Sequence, residues 1–418
     1  MHPLNHLIFA LVLILVIGIH AREEPAHTSV NVSWRFDGNG GFPHIDPPAK
    51  WGPDEKMRWK TPVAVGGYSS PIVVGEKVFL TAEMGSLICL DRSTGKRLWE
   101  KDLFSKESKD IPADLSKLLM RGCGGDSKQS TPTPTSNGEL VFYINAMGLC
   151  ACYDLNGQQK WIRIIETAED EENFSASPVF IGDRILLSWG GLLALDANDG
   201  HTIWCAKDAL STYATPLATK IGGEAVALTP AGDIVRLADG EILCAGLFDS
   251  TFTTPLIVND LLYVIDSEAM ALEWPAHIEQ GMQLKPRWKT RLDGTFMASP
   301  ICRDGLLYTI EQERCLLHII DAKTGEVLTT TLKPDGTHET GVKIAGLVSA
   351  QQTYASPAAT GQHVYFFDDA GHAAVLKLGR SYRPVCLNTL DDALIGTPFF
   401  TGDTILIRGN KILYCIGK

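Results

Sequence analysis

Residues 69–103 read SSPIVVGEKVFLTAEMGSLICLDRSTGKRLWEKDL, and the stretch divides into four short β-rich runs separated by tight turns. Strand A, Ser70 to Val74, is turned by Gly75-Glu76 into strand B, Lys77 to Ala82. Strand C, Ser86 to Asp91, follows Met84-Gly85, and Ser93-Thr94-Gly95-Lys96 leads into strand D, Arg97 to Leu103. Glycine falls where hairpin turns need positive φ. Pro71 opens strand A, a place proline tolerates because it donates no ladder hydrogen bond.

The opening step recurs eight times, as Ser70-Pro71, Thr133-Pro134, Ser177-Pro178, Thr215-Pro216, Thr254-Pro255, Ser299-Pro300, Ser356-Pro357 and Thr397-Pro398. Successive prolines lie 63, 44, 38, 39, 45, 57 and 41 residues apart, a base period with insertions. Periods of roughly 20–50 residues mark propellers and solenoids, and here the units are strands rather than helices.

A second signature keeps the same phase: an Asp closing strand C, a Gly in the next turn and a Trp four residues on. Asp91, Gly95 and Trp99 carry it, as do Asp154, Gly157 and Trp161, and Asp196, Gly200 and Trp204. Asp321, Gly325 and Thr329 keep the Gly and lose the aromatic, as do Gly240 and Cys244, while Trp288 marks strand D of the fifth unit. A large apolar ring with one donor suits packing between neighbouring sheets, so these are structural positions.

The last unit has strands A to C and stops at Lys418, whereas Met57-Arg58-Trp59-Lys60 offers a strand D. Trp59 lies 12 residues before Pro71, the gap that also separates Trp204 from Pro216 and Trp288 from Pro300. The expectation is an all-β, eight-bladed β-propeller of four-stranded antiparallel blades, its ring closed by an N-terminal strand that completes the last blade.

Leu193-Ala194-Leu195-Asp196 and Asp91-Arg92-Ser93-Thr94-Gly95-Lys96-Arg97-Leu98-Trp99 resemble the PQQ-like (quinoprotein-type) β-propeller repeat over residues 56–418. The lead-in Trp34-Arg35-Phe36-Asp37-Gly38-Asn39-Gly40 is similar to the start of secreted bacterial members. In architecture the chain resembles the propeller of the outer-membrane assembly machinery. The resemblance implies fold more than activity, because the repeat residues are architectural.

Residues 1–21 read as a signal peptide, 22–55 as a lead-in and 56–418 as the propeller. Leu7 to Ile19 is almost wholly apolar but short for a membrane span, and Ile19-His20-Ala21 resembles a small-residue cleavage site. An uncleaved anchor is the alternative, since the first six residues offer His rather than Lys or Arg. Export to the periplasm, cell surface or exterior follows, with the membrane involved only through this signal. The net charge of −12 argues against a nucleic-acid partner. Glu166, Glu169, Asp170, Glu171 and Glu172 read as a solvated loop.

Of ten cysteines, Cys89 and Cys152 stand two residues before the strand C Asp, and Cys415 holds the equivalent place in the last unit. They read as compact buried hydrophobes, and pairing stays open. Quinoprotein dehydrogenases of this superfamily hold PQQ and calcium against a disulfide between adjacent cysteines. The chain has no Cys-Cys pair, Cys150-Ala151-Cys152 being its nearest approach, and Asp196-Ala197-Asn198-Asp199-Gly200 aligns with an ordinary C–D turn rather than a calcium loop. No catalytic, cofactor or metal residues are assigned, and no cofactor is expected.

Strand alternation puts D–A and B–C connections on one face and A–B and C–D connections on the other. Long D–A loops are expected at 104–129, 166–174 and 333–353, with a C–D insertion at 275–286 on the opposite face. The candidate partner-facing residues are Arg121, Cys123 and Asp126 in the first and His338, Glu339 and Lys343 in the third. The structural set is Trp59, Trp99, Trp161, Trp204, Trp288, Asp91, Asp154, Asp196 and Asp321. The reading is a non-catalytic module that binds or scaffolds an envelope or extracellular protein. The alternatives are a PQQ/calcium dehydrogenase and a carbohydrate- or small-ligand-binding propeller.

Overall fold

Each apolar run that follows a hydroxyl–proline step forms the innermost strand of a four-stranded antiparallel sheet. The computed structural model describes residues 31–63, 67–82, 85–102, 132–145, 148–165, 175–209, 213–279, 281–348 and 354–418. The first blade comprises Ile72–Val74, Lys77–Ala82, Ser86–Asp91 and Arg97–Asp102, hydrogen-bonded in chain order. Seven further four-stranded sheets repeat the meander, the second to seventh from inner strands at Thr135–Ser136, Val179–Ile181, Leu217–Ile221, Leu256–Val258, Ile301–Arg303 and Ala358–Ala359. The eighth runs Phe399–Thr401, Thr404–Arg408 and Ile412–Gly417, and Met57–Pro62 completes it with Trp59 opposite Cys415. The ring therefore closes where the sequence places the join, and the fold is an eight-bladed propeller.

Two sets of contacts hold neighbouring blades together. On the inside, all eight step hydroxyls are buried, and they form a relay. The amide of Ser70 donates to Thr133 Oγ1 at 2.9 Å, Thr133 to Ser177 Oγ at 3.1 Å, and Ser177 to Thr215 Oγ1 at 3.1 Å. Thr215 donates to Thr254 at 3.1 Å, Thr254 to Ser299 at 2.9 Å, Ser299 to Ser356 at 2.9 Å, and Ser356 to Thr397 at 3.1 Å. The seam between the eighth and first blades is bridged by buried Arg408, which donates to Ser69 Oγ at 2.5 Å and to the carbonyl of Thr81.

On the outside, each Trp of the repeat belongs to the next blade as much as to its own. Trp161 Nε1 donates to Ala197 O at 2.9 Å, Trp204 to Leu237 O at 3.0 Å, and Trp288 to Ala322 O at 2.9 Å. Trp59 and Trp99 reach Arg92 O and Leu155 O in the same way. The glycine of the neighbouring C–D turn lies flat on each ring: Gly95, Gly157, Gly200, Gly240 and Gly325 against Trp59, Trp99, Trp161, Trp204 and Trp288. The Asp of the motif shapes that turn. Asp91 Oδ1 accepts from Thr94 N at 2.8 Å and from the Ser93 and Thr94 hydroxyls at 2.7 Å, which hold its carboxyl near 2. Asp154, Asp196 and Asp321 accept backbone amides in their own turns.

Cys89, Cys152 and Cys415 lie opposite Trp99, Trp161 and Trp59, where Ala194 and Ala271 face Trp204 and Trp288. Only a small side chain leaves room for the indole. Burial pushes the Cys89 and Cys152 thiols up to about 12 and Cys415 to about 11. No disulfide joins any two of the described cysteines.

The sixth blade departs from expectation. Its outer strand starts on time, with Leu328 N bonded to Ile319 O at 2.8 Å. Thr329, standing where Trp would be, instead uses its hydroxyl on Ile319 N and Leu317 O, both at 3.0 Å. The chain then leaves the sheet as a hairpin, Thr330–Leu332 with His338–Thr340, and rejoins it at Val342–Lys343. Residues 330–341 thus form an insertion within a strand, and 333–343 are not part of a D–A loop.

Gly182 and Gly200 both have positive φ, +60° and +74°, but a Cβ at Gly182 meets nothing within 4 Å while one at Gly200 falls 2.6 Å from the Trp161 ring. Gly182→Ala should cost only left-handed strain, about 1 kcal/mol, and Gly200→Ala roughly 1–3 kcal/mol more. Urea unfolding of the two variants measures the difference, and equal losses would refute the interlock.

Candidate functional site

The sequence-derived loop residues fall in two places. Arg121, Cys123 and Asp126 lie outside the described residues, as do 104–129 and 166–174. His338 and Glu339 stand on the inserted hairpin of the sixth blade and Lys343 on the strand that follows it, so these three do not gather at a channel mouth. They anchor the insertion. Glu339 pairs with Arg314 and, at 3.7 Å, with Lys333, while Lys343 Nζ donates to Arg314 O at 2.6 Å. Beneath them Thr340 Oγ1 lies 3.1 Å from Asp293 Oδ2 and 3.2 Å from Nε2 of fully buried His318. Desolvation pulls the His318 pKa from 6.5 down to about 4, against hydrogen bonds to Leu316 and Thr340 that raise it.

The channel is where sequence reasoning missed a role, that of the lead-in. Asn31 Nδ2 donates to Phe180 O of the third blade at 3.0 Å, and Val32 pairs with Ser136 of the second through two bonds of 2.8 Å. Ten residues later Phe42 N bonds Ala359 O of the seventh blade at 2.7 Å, and Ala359 N bonds Gly40 O at 3.0 Å. The third and seventh places of an eight-membered ring face one another, so the segment crosses the channel.

Midway across, the Arg35 guanidinium is 2% exposed and donates to Asn39 O at 3.1 Å, Pro300 O at 2.8 Å and Pro357 O at 3.4 Å. Two of these carbonyls belong to the hydroxyl–proline steps. Desolvation brings the Arg35 pKa from 12.5 down to about 9, Asp37 acting in the opposite sense. Arg35 and Phe36 hold left-handed φ values of 57° and 67°, strain retained only when surroundings fix it. Phe42 packs on Phe399 and Phe400 with centroids 5.6 and 5.0 Å apart. The clustering of Trp34, Phe36 and Phe42 with Arg35 was the available signal, but nothing periodic said where it would dock.

The lead-in continues outward over the seventh blade, whose Trp position is Cys386, opposite Val375. Trp51 supplies the missing ring from outside, stacked on Tyr365 at 6.3 Å, with its amide on Asn388 Oδ1 at 3.0 Å.

The D–A face keeps aromatic residues at its mouth. Tyr68, Tyr213, Phe252 and Tyr354 each stand two places before a step hydroxyl. Tyr68 stacks with Tyr354 at 6.2 Å and Tyr213 with Phe252 at 5.1 Å, and Tyr354 is 37% exposed. Such rings bind partners through flat apolar faces and polar tips.

Among the described residues one group has the spacing of metal ligands, Asp196, Asp199 and His201. It lies in the C–D turn of the third blade, with Asp199 bound to His201 at 2.6 Å and Asp196 to Asn198 N at 2.7 Å. Cys150 and Cys152 are buried between the second and third blades. A planar quinone with calcium on the axis therefore does not fit these residues: Arg35 and Phe36 fill the A–B end, and neither the acidic turn nor the cysteines face the channel.

A profile described as outer membrane protein assembly factor BamB matches residues 50–274 and 128–331. Two curated relatives carry that name. The one from Burkholderia pseudomallei is 27% identical over 36% of this chain, a match that spans only 45% of the relative. The one from Moranella endobia is 23% identical over 82% of both chains. The solved BamB of Moraxella catarrhalis superposes with a TM-score of 0.59 at 11% identity, covering 87% of this chain and 99% of that one. A europium-containing methanol dehydrogenase does so at 0.57 and 11%, covering 90% and 89%. These structural likenesses establish the shared fold.

Two measurements follow from the site. Arg35→Met removes the donor to three carbonyls and should leave the ring folded but free the lead-in, seen as faster proteolysis ahead of Trp51; unchanged cleavage would refute the anchoring. Because His318 has a lower pKa folded than unfolded, the unfolded state binds the extra proton as pH falls from 6.5 to about 4. Stability should drop across that window by up to about 3 kcal/mol from this residue, and His318→Gln should flatten the profile in pH-dependent urea unfolding.

Proposed function

The chain belongs to the family of outer membrane protein assembly factor BamB, and from that premise we propose that it is a non-catalytic scaffold that binds a protein of the cell envelope. Residues 1–21 act as its export signal, placing the propeller in the periplasm or at the cell surface. The observation that carries this reading is where the chemically suggestive residues go. The repeat tryptophans and three of the cysteines are consumed in blade packing, the turn aspartates in shaping their own turns, and Arg35 and Phe36 occupy the axis. What stays available is surface, foremost the aromatic mouth of the D–A face, where Tyr354 and its stacked partner Tyr68 are partly exposed. Binding residues concentrate on such irregular edges of rigid scaffolds.

The absence of PQQ and calcium chemistry is part of the proposal, supported by the misfit of the channel residues described above. The test has two arms. A photo-reactive residue in place of Tyr354 should crosslink an envelope protein in the native cells, while one in place of Asp183, on the opposite face, should not. Added PQQ and calcium should give no cofactor spectrum and no alcohol-dependent dye reduction. Crosslinking from Asp183 alone would misplace the surface, and a bound, reducible quinone would overturn the non-catalytic reading.

A further inference from the structure

The inserted hairpin of the sixth blade is tied down near its base, and a histidine shut off from water lies under the tie. Thr340 makes it. Its amide donates to Asp293 Oδ2 at 3.0 Å, its hydroxyl lies 3.1 Å from the same oxygen, and Asp293 N donates to Thr340 Oγ1 at 2.9 Å. Next to it Glu339 adds its pair with Arg314. Beyond these contacts the hairpin stands in solvent: every residue from Thr330 to His338 is exposed, Leu332 by 64%.

His318 is 0% exposed, and a Cβ at Gly341 would fall 2.8 Å from its ring, so the returning chain itself is the cover. Nδ1 lies 3.2 Å from Leu316 O and must carry the proton, which leaves Nε2 to accept the Thr340 hydroxyl at 3.2 Å. A second proton would set an imidazolium beside the Phe296 ring, 5.2 Å away, and beside its ladder partner Thr309, whose buried hydroxyl makes no hydrogen bond among the described residues. The surrounding charges do little to offset it. Asp293 reaches the ring only through Thr340, and Arg314 opposes a positive charge. Glu311 spends its oxygens on the amides of Glu313 and Arg314 at 3.2 and 2.8 Å. Lys333 pairs with Glu339, Lys343 donates to Arg314 O, and Arg291 acts on Asp293. Burying a charge without a counter-ion in contact is costly.

We propose that the hairpin is an acid-released latch: protonation of His318 frees it to lift about Thr329 and Gly341, uncovering the crevice between the fifth and sixth blades while the ring stays closed. The pivot holds itself together. Gly341 N donates to Thr329 O at 2.7 Å, and the Thr329 hydroxyl stays on Ile319 N and Leu317 O. The ladder of Ile301–Arg303, Leu306–Ile310 and Leu316–Asp321 loses no bond when the hairpin lifts. Phe296 and His318 then face water near the D–A face, so the surface open to other molecules changes with pH. The ring prefers its proton at about 4 when covered and at 6.5 when free. Opening should therefore rise roughly fiftyfold between about pH 7.5 and 4.5.

Amide hydrogen exchange of the full-length protein, read peptide by peptide, measures the opening. Residues 330–341 should lose protection by about that factor on acidification, relative to His318→Gln at the same pH, while the other blades keep theirs. The matched comparison cancels intrinsic exchange rates and the titration of nearby carboxylates. Thr340→Val should leave the hairpin unprotected at every pH. An identical pH response in His318→Gln would overturn the latch, and so would loss of protection in all blades together, which would make His318 a determinant of global stability only. Should His318→Gln not fold, Thr340→Val decides: a hairpin that stays protected and pH-responsive without that hydroxyl refutes the proposal.

Discussion

The amide before each opening proline must find an acceptor in the neighbouring blade, and the rest of the ring depends on that. Proline starts the innermost strand without a donor of its own, so the preceding N–H is the last backbone group able to tie one blade to the next. A buried amide without a partner costs about 1–3 kcal/mol. A serine or threonine at the same place in the following blade meets the need and is small enough for the crowded axis. Its own amide then poses the same demand one blade further on. The chain of donors runs from Ser70 to Ser356 and ends on the Thr397 hydroxyl, and at the join, where first and last blades meet, Arg408 takes over the bridging.

The outer ring solves a different problem. Wedge-shaped blades diverge away from the axis and leave crevices, which a tryptophan fills while its one donor caps a neighbouring carbonyl. This explains why glycine recurs in the C–D turn: the ring lies where its Cβ would be, as at Gly325 against Trp288. It also explains where the chain is irregular. Blades with Cys244, Thr329 and Cys386 in place of Trp are those accompanied by the insertion 275–285, the hairpin 330–340 and the lead-in around Trp51. Loss of the regular filler and gain of an irregular segment go together because exposed crevice walls are apolar.

The repeat was legible because its residues serve the same contact many times, so blade count, strand order and the closing role of Trp59 could be counted off. Cys89, Cys152 and Cys415 could be read as small buried groups by alignment alone, though not that an indole lies across from each. The hairpin of the sixth blade was misplaced because Thr329 keeps the spacing of the motif while its hydroxyl ends the strand. The lead-in path was invisible for a deeper reason. Arg35 binds carbonyls of Pro300 and Pro357, hundreds of residues away, and backbone acceptors carry no sequence signature.

That last point bears on how one fold supports unlike activities. A propeller offers a ready axial cavity, and what the chain places there decides whether chemistry can occur on it. Here the occupant is a buried guanidinium held by three carbonyls and set over the Trp34 ring, a costly arrangement that the Asp37 carboxylate offsets only in part. Such a burial is tolerated only where the fold gains from it, and the gain is a strap that ties the second and third blades to the sixth, seventh and eighth across the ring. An axis used as a tie point leaves recognition to the edges of the blades, where the irregular segments lie.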